Sequence, residues 1–210
     1  MALACRKTGA RMILYSTDYV FDGAKGVPYT EADAVNPRTV YGQSKLEAER
    51  AVAALLTNYA ILRIAWLYGR YGNNFVKTML RLGKTQRKSP SASRSVRVVS
   101  DQIGNPTWTM EVARQTEAVM ERRLTGLYHA GAGGSCSWYE FACRIFEAAG
   151  DSISVEPCTT DQYPRPAPRP AMSALENRRL QRVGCNVMRE WDVAFDDFMT
   201  RHGEEMVHGL

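Results

Sequence analysis

The sequence predicts an α/β protein, a parallel sheet with helices packed on its faces. Three observations carry that reading. Short apolar segments alternate with helical segments along most of the chain, the pattern of βαβ units. The segment at residues 59–67 is apolar on both faces, as parallel strands covered by helices tend to be, and residues 12–15 read as a short buried strand. At 210 residues the chain can bury a good core as one large domain or one and a half ordinary ones.

The elements follow in order. Residues 2–9 read as the end of an amphipathic helix stopped by Gly9, so the chain opens as if on the tail of a longer one. Met12 to Tyr15, extended to Phe21, is a buried strand running into a loop, with Asp22-Gly23 as its turn. Asn36-Pro37 offers an N-cap followed by a first-turn proline, and the helix runs over residues 39–56. Tyr59 to Leu67 is a second strand, interrupted by Arg63, and residues 74–82 are helical. The basic stretch Lys84 to Arg97 reads as a solvated loop, with phosphate binding as the sharper alternative. A short strand at 96–99, a turn at 102–107, a helix at 109–122 and a strand at 126–130 follow. Gly131-Ala132-Gly133-Gly134 is a small-residue loop, and Ser137-Trp138-Tyr139-Glu140 has the capping-box pattern before a helix at 141–149. The proline-rich run 163–170 must lie extended over a surface or cleft, and two short helices near 177–183 and 190–201 close the chain.

Composition excludes several classes of function. With 45% hydrophobic and 23% charged residues the chain is a globular protein rather than a disordered tail. The net charge of +5 is scattered, and the basic stretch carries no interleaved aromatics, so nucleic acid is not expected as a partner. Cys5, Cys136, Cys143, Cys158 and Cys185 are odd in number and contain no CxxC, which argues against both a disulfide framework and a zinc site. His129, His202 and His208 lack ligand spacing, and Asp18 with Asp22 falls short of a cation site. No metal is expected. No apolar run is long enough to span a bilayer, and the start lacks a signal-peptide core, so a reducing, cytoplasmic location is expected.

The chemically pointed feature is Tyr41-Gly42-Gln43-Ser44-Lys45. A Tyr and a Lys four residues apart on a helix project from one face. An ammonium there favours the phenolate and can bind a ribose hydroxyl, while the phenol exchanges a proton with substrate. That suits hydride transfer to or from a nicotinamide, although any solvated helix can carry YxxxK.

The surrounding residues give it context. Ser16-Thr17-Asp18-Tyr19-Val20-Phe21-Asp22-Gly23, Pro28-Tyr29-x-Glu31 and Asn36-Pro37-x-x-x-Tyr41-Gly42-x-x-Lys45 resemble the extended short-chain dehydrogenase/reductases, and among them the dTDP-4-dehydrorhamnose reductase family. Leu62-Arg63-x-x-Trp66-x-Tyr68-Gly69, Asn73-Asn74-Phe75-x-x-Thr78, Asp101-Gln102-x-Gly104-x-Pro106-Thr107 and Arg169-Pro170-x-x-Ser173-x-Leu175 extend the resemblance over most of the chain. It implies the C-terminal part of a Rossmann-like parallel sheet plus a small substrate-binding α/β region. The implied activity is NAD(P)H-dependent reduction of the C4 keto group of dTDP-4-dehydro-L-rhamnose to dTDP-L-rhamnose, with NADP(H) or NAD(H) as cofactor. By the same resemblance Thr17, Tyr41 and Lys45 are catalytic, and Ser16, Tyr41 and Lys45 meet the cofactor. Trp66, Asn74, Phe75, Asn105, Thr107 and Arg169 meet the nucleotide sugar.

One departure stands out. Family members open with a strand, a glycine-rich turn and a helix whose N–H groups hold the dinucleotide pyrophosphate. No G-x-x-G-x-x-G occurs here. The expectation is therefore that residues 1–80 form the second half of a dinucleotide-binding domain whose first half, on the order of 80 residues, is absent. Residues 81–210 would be mainly the substrate region, interleaved with the sheet. The chain is expected to be inactive alone, with a homodimer or a complementing N-terminal fragment as partner. The alternatives are another sugar-nucleotide reductase or epimerase, or a non-enzymatic regulatory subunit of this fold, like the methionine adenosyltransferase β subunit.

Overall fold

The computed structural model describes residues 1–88, 95–163 and 167–208. Helix α1 (Ala2–Thr8) ends at Gly9, whose φ of 72° lies in the left-handed region that glycine adopts freely. Strand β1 (Met12–Thr17) leads into a single 3₁₀ turn at Asp18–Val20, so the strand stops earlier than its apolar run. The Thr17 hydroxyl causes the stop by accepting the Tyr19 N–H at 3.2 Å. Helix α2 (Val40–Leu55) is capped by Thr39, not Asn36: Thr39 Oγ1 accepts the Gly42 N–H at 3.0 Å. Asn36 instead spends its amide on Asp22 and its backbone N–H on the Val20 carbonyl, which holds the lead-in extended.

Strand β2 (Tyr59–Ile64) pairs in parallel with β1, from Met12 opposite Tyr59 to Thr17 opposite Ile64. Its other edge takes strand β7 (Gly126–His129), also parallel, giving the order β1-β2-β7. Both faces of this sheet are covered. Val52 and Leu56 of α2 and its C-cap pack with Ile61, Met12 and Leu14 on one side, where Ala2 and Cys5 of α1 join them. Leu62, Tyr128, Val119 of α4 (Thr109–Glu121) and Leu180 of α6 (Arg178–Arg182) fill the other.

The expected strand over 59–67 breaks in two. Trp66 adopts φ 44°, and the chain resumes as β3 (Leu67–Tyr68), which pairs with β6 (Thr107–Trp108). Helix α3 (Phe75–Lys88) runs past residue 82, so the first part of the basic stretch is helical rather than loop. Gly83 belongs there because a Cβ would lie 2.8 Å from the Phe146 ring and 2.9 Å from Asp151 Oδ2. The rest of the basic stretch up to residue 94 lies outside the described residues, as do 164–166 of the proline run.

Strand β4 (Ser95–Val99) pairs in parallel with β9 (Ser154–Cys158), a strand that its Pro157 and polar alternation hide in the sequence. Strand β5 (Ile103–Gly104) meets β8 (Cys136–Ser137) antiparallel, and α5 (Trp138–Ala148) starts at Ser137 with a complete capping box to Glu140. Helix α7 (Trp191–His208) is a long helix of 18 residues rather than a short one. A second core of Tyr68, Phe141, Phe146, Phe195 and Phe198 gathers α3, α5 and α7 around β4. No described helix is long and apolar enough to cross a membrane.

Candidate active site

Tyr41, Lys45 and Thr17 come together where β1 and β2 end. The approach of α2 to that point is set by Gly42, where a Cβ would overlap the Tyr19 carbonyl oxygen. Its absence lets the first turn of α2 press onto the 3₁₀ turn and brings the Tyr41 ring edge-on to Tyr19, centroids 5.9 Å apart. Tyr41 is 54% exposed, so its hydroxyl is free to meet a ligand. Lys45 lies one helical turn on, and its Nζ donates to the Tyr15 carbonyl at 2.7 Å. A cavity of about 290 Å³ is lined by Thr17, Asp18, Tyr19, Tyr41, Lys45, Ala65 and Trp66. The carboxyl ends of parallel strands are where α/β sheets place ligands.

A second cavity of about 500 Å³ shares Asp18, Tyr19 and Trp66 with the first, and adds Phe75, Thr78, Arg97, Val98, Gln102, Trp138 and Arg169. Trp66 forms the wall between them. Its indole stacks on Trp138 at 3.5 Å and 5°, and Gly104 lies against it so closely that a Cβ there would overlap the ring. Its Nε1 donates to Ser173 Oγ at 3.0 Å. Phe75 extends the aromatic wall, 4.5 Å from the Trp138 ring. Arg169 is exposed at the rim, where a guanidinium can meet a diphosphate in bidentate fashion.

Asp18 sits at the junction of the two cavities, only 3% exposed. Thr17 Oγ1 donates to its Oδ1 at 2.8 Å, and its Oδ2 has no partner among the described residues. Burial pushes the carboxyl up to about 6, against the opposing pull of the Thr17 hydroxyl that donates to it. By residue type and spacing Asp18 reads only as a weak cation ligand, with no role of its own in the pocket. Nothing in the pattern of residue types signals its burial. Trp138 and Arg97 were missed for the same kind of reason, since their elements reach the site only in three dimensions.

Other expected site residues have different occupations. Ser16 is 2% exposed and its hydroxyl donates to Glu49, so it lines the first cavity without offering that oxygen to a ligand. Asn74 caps α3: its Oδ1 accepts the Lys77 N–H at 3.1 Å and its Nδ2 donates to the Gly69 carbonyl at 2.8 Å. Asn105 is spent inside the protein, donating to the Ala132 carbonyl at 3.1 Å and the Gly134 carbonyl at 2.6 Å and accepting the Leu175 N–H at 2.6 Å. Thr107, fully buried, donates to the Asn105 carbonyl at 2.9 Å and accepts the Ala132 N–H at 3.2 Å. The sugar-lining loop expected at Asn105 and Thr107 is thus a buried knot that joins β6 to the loop after β7.

A parallel sheet covered on both faces, with a Thr-Tyr-Lys cluster at its strand ends beside an aromatic cavity, is the layout of a short-chain dehydrogenase/reductase. The chain belongs to the RmlD substrate binding domain family, which matches residues 1–203. It is 41% identical to the dTDP-4-dehydrorhamnose reductase of Sinorhizobium fredii, covering 91% of this chain and 66% of that protein. It is 40% identical to the spore coat polysaccharide biosynthesis protein SpsK of Bacillus subtilis, covering 94% of this chain and 67% of that one. Among solved structures it is similar to the dTDP-4-dehydrorhamnose reductase of Clostridium acetobutylicum, with TM-score 0.90 and 44% identity over 96% of this chain and 69% of the other. The Bacillus anthracis reductase in complex with NADP gives 0.89 and 38% over 95% and 69%. The chain therefore spans about two thirds of the length of the curated relatives it matches.

Proposed function

We propose that these residues supply the proton-transfer groups and the nucleotide-sugar pocket of an NADP(H)- or NAD(H)-dependent reductase. Its substrate is dTDP-4-dehydro-L-rhamnose, whose C4 ketone becomes the alcohol of dTDP-L-rhamnose. The observation that carries this reading is the convergence of Thr17, Tyr41, Lys45 and Trp66 on one cavity.

The Tyr41 hydroxyl gives its proton to the C4 oxygen as that oxygen becomes an alcohol. Lys45, one turn along the same helix face, stabilises the phenolate left behind and binds a ribose hydroxyl. Thr17, with its hydroxyl turned from Asp18 Oδ1 toward the cavity, holds the reacting oxygen, and Asp18 is thereby freed to accept from a sugar hydroxyl at the junction of the cavities. Trp66 gives the sugar an apolar wall. The base lies among Phe75, Trp138 and Val98, and Arg97 and Arg169 neutralise the diphosphate. Asn74 contributes by starting α3, while Asn105 and Thr107 hold the loop beneath.

The nicotinamide end of a dinucleotide fits what is present, an exposed phenol and ammonium beside parallel strand ends. The chemistry supplied by the bound, reduced group is hydride donation. For the pyrophosphate the sequence holds no glycine-rich turn between a strand and a helix. We therefore read residues 1–80 as the second half of the dinucleotide-binding domain, residues 81–210 as mainly the substrate region, and turnover as requiring a dinucleotide-binding region alongside them. A polypeptide that carries such a turn would provide it, whereas a second copy of these residues would not.

The test mixes purified chain with NADPH and dTDP-4-dehydro-L-rhamnose, with and without a separately made dinucleotide-binding half from a relative, and follows NADPH consumption. Activity that appears only in the mixture and disappears with Tyr41→Phe is expected. Turnover at an ordinary enzymatic rate by the chain alone refutes the requirement for a partner region. Activity that survives Tyr41→Phe refutes the proton-donor assignment.

A further inference from the structure

Arg63 interrupts an otherwise apolar strand, and its surroundings point beyond packing. Lys45 and Glu49 stand four residues apart on α2, the spacing at which a lysine and a glutamate pair across a helical turn. No ion pair joins them among the described residues, and Lys45 Nζ reaches the Tyr15 carbonyl instead, at 2.7 Å. Glu49 is held from the sheet. Arg63 Nε donates to its Oε1 at 2.9 Å and Nη2 to its Oε2 at 2.7 Å, a bidentate fork between residues that are each 4% exposed. The Ser16 hydroxyl adds a third hydrogen bond to Oε1.

Arg63 is itself fixed from behind. Its Nη1 lies 3.5 Å from His129 Nε2, while His129 Nδ1 lies 3.1 Å from the Tyr29 carbonyl. That geometry puts the ring proton on Nδ1 and turns the Nε2 lone pair to the guanidinium. Burial and the Arg63 charge keep the imidazole neutral, bringing it down to about 3.

We infer that Arg63 is a positioning residue for Lys45. By occupying both oxygens of Glu49 it stops that carboxylate from capturing the ammonium, which stays at the cavity beside Tyr41. The inference rests on the proposed role of Lys45, but the position of the side chain can be measured whether or not that role holds.

Three crystal structures test it: the chain as it is, Arg63→Met, and the double variant Arg63→Met with Glu49→Leu. With Arg63 gone, Lys45 Nζ is expected within about 4 Å of a Glu49 oxygen and away from the Tyr15 carbonyl. In the double variant, which replaces both charges by apolar side chains of similar size, Nζ returns to Tyr15. Turnover, measured with the dinucleotide-binding half added, should fall about 10- to 100-fold in kcat in the single variant, with KM for the nucleotide sugar little changed, and recover in the double. A purely structural Arg63 would lower the melting temperature without moving Lys45, and that result overturns the inference, as does a double variant in which Lys45 fails to return. If Arg63→Met does not fold, Arg63→Lys carries the same comparison, because it keeps a charge but has no fork. If Lys45 moves as expected while no sample turns over, the reductase reading fails and the positioning role stands.

Discussion

Asp18→Asn should make the protein more stable as the pH rises, and the size of the gain can be worked out. In the folded chain the carboxyl is buried and pushed up from 3.8 to about 6. At 1.36 kcal/mol per tenfold change in proton affinity, that shift corresponds to about 3 kcal/mol. The sign follows from the raised value. Between pH 4 and pH 6 the unfolded chain ionises this group freely while the folded chain still holds its proton, so stability falls as pH increases through that window. The contribution is fully present below about pH 4 and lost above about pH 6 to 7. Asparagine mimics the protonated acid in shape and never ionises. The stability advantage of Asp18→Asn over the wild-type chain should therefore grow by about 3 kcal/mol from pH 4 to pH 7, then level off. Urea unfolding at four or five pH values across that range measures it. A gap between the two proteins that stays constant with pH refutes the buried, proton-holding carboxyl. The same variant should bind the nucleotide sugar less tightly if the unpartnered oxygen serves a sugar hydroxyl.

Other outcomes are expected at single residues. Tyr41→Phe should leave urea stability within about 0.5 kcal/mol, since the ring is half-exposed, while reductase turnover falls by about 10²- to 10⁴-fold. Asn105→Ala should cost about 3 kcal/mol or more in unfolding experiments, because buried backbone groups of Ala132, Gly134 and Leu175 lose their partner together. A loss under about 1 kcal/mol accompanied by weak substrate binding would return Asn105 to the pocket wall. Gly42→Ala should cost about 1–3 kcal/mol as α2 is pushed off the Tyr19 carbonyl, and near-UV circular dichroism should report the separation of Tyr41 from Tyr19.

Local chemistry was legible in the sequence. Gly9 ends α1, Ser137 and Glu140 start α5, and the Tyr41–Lys45 spacing puts both groups on one helix face, because each depends on residues within a turn of one another. Long-range assignments were not. Asn105 and Thr107 have the residue types of a polar pocket wall, and only the fold reveals that their partners, Ala132 and Leu175, lie far along the chain. Trp66 gives no sign in its own neighbourhood that it takes φ 44°, and the residues packed on its indole, Trp138 and Gly104, lie far along the chain. Arg63 read as a flaw in a strand because its compensating charge, Glu49, belongs to a helix pattern where a glutamate is ordinary.

The place of β7 beside β2 bears on the order in which the protein assembles. Arg63 pairs with His129, sixty-six positions later, so the strand that carries the helix clamp gains its second neighbour only after a long loop has closed. Closure of such a loop is slow compared with the formation of a local helix. During synthesis α2 can form early, presenting Tyr41 and Lys45 on a surface that is not yet a site. The guanidinium of Arg63 can then meet Glu49, which precedes it in the chain, while His129 is still to be synthesised. Trp138 and Arg169, on the second cavity, are thus among the last features to arrive, and a nascent chain carries the Tyr41–Lys45 pair before the far wall of its pocket exists.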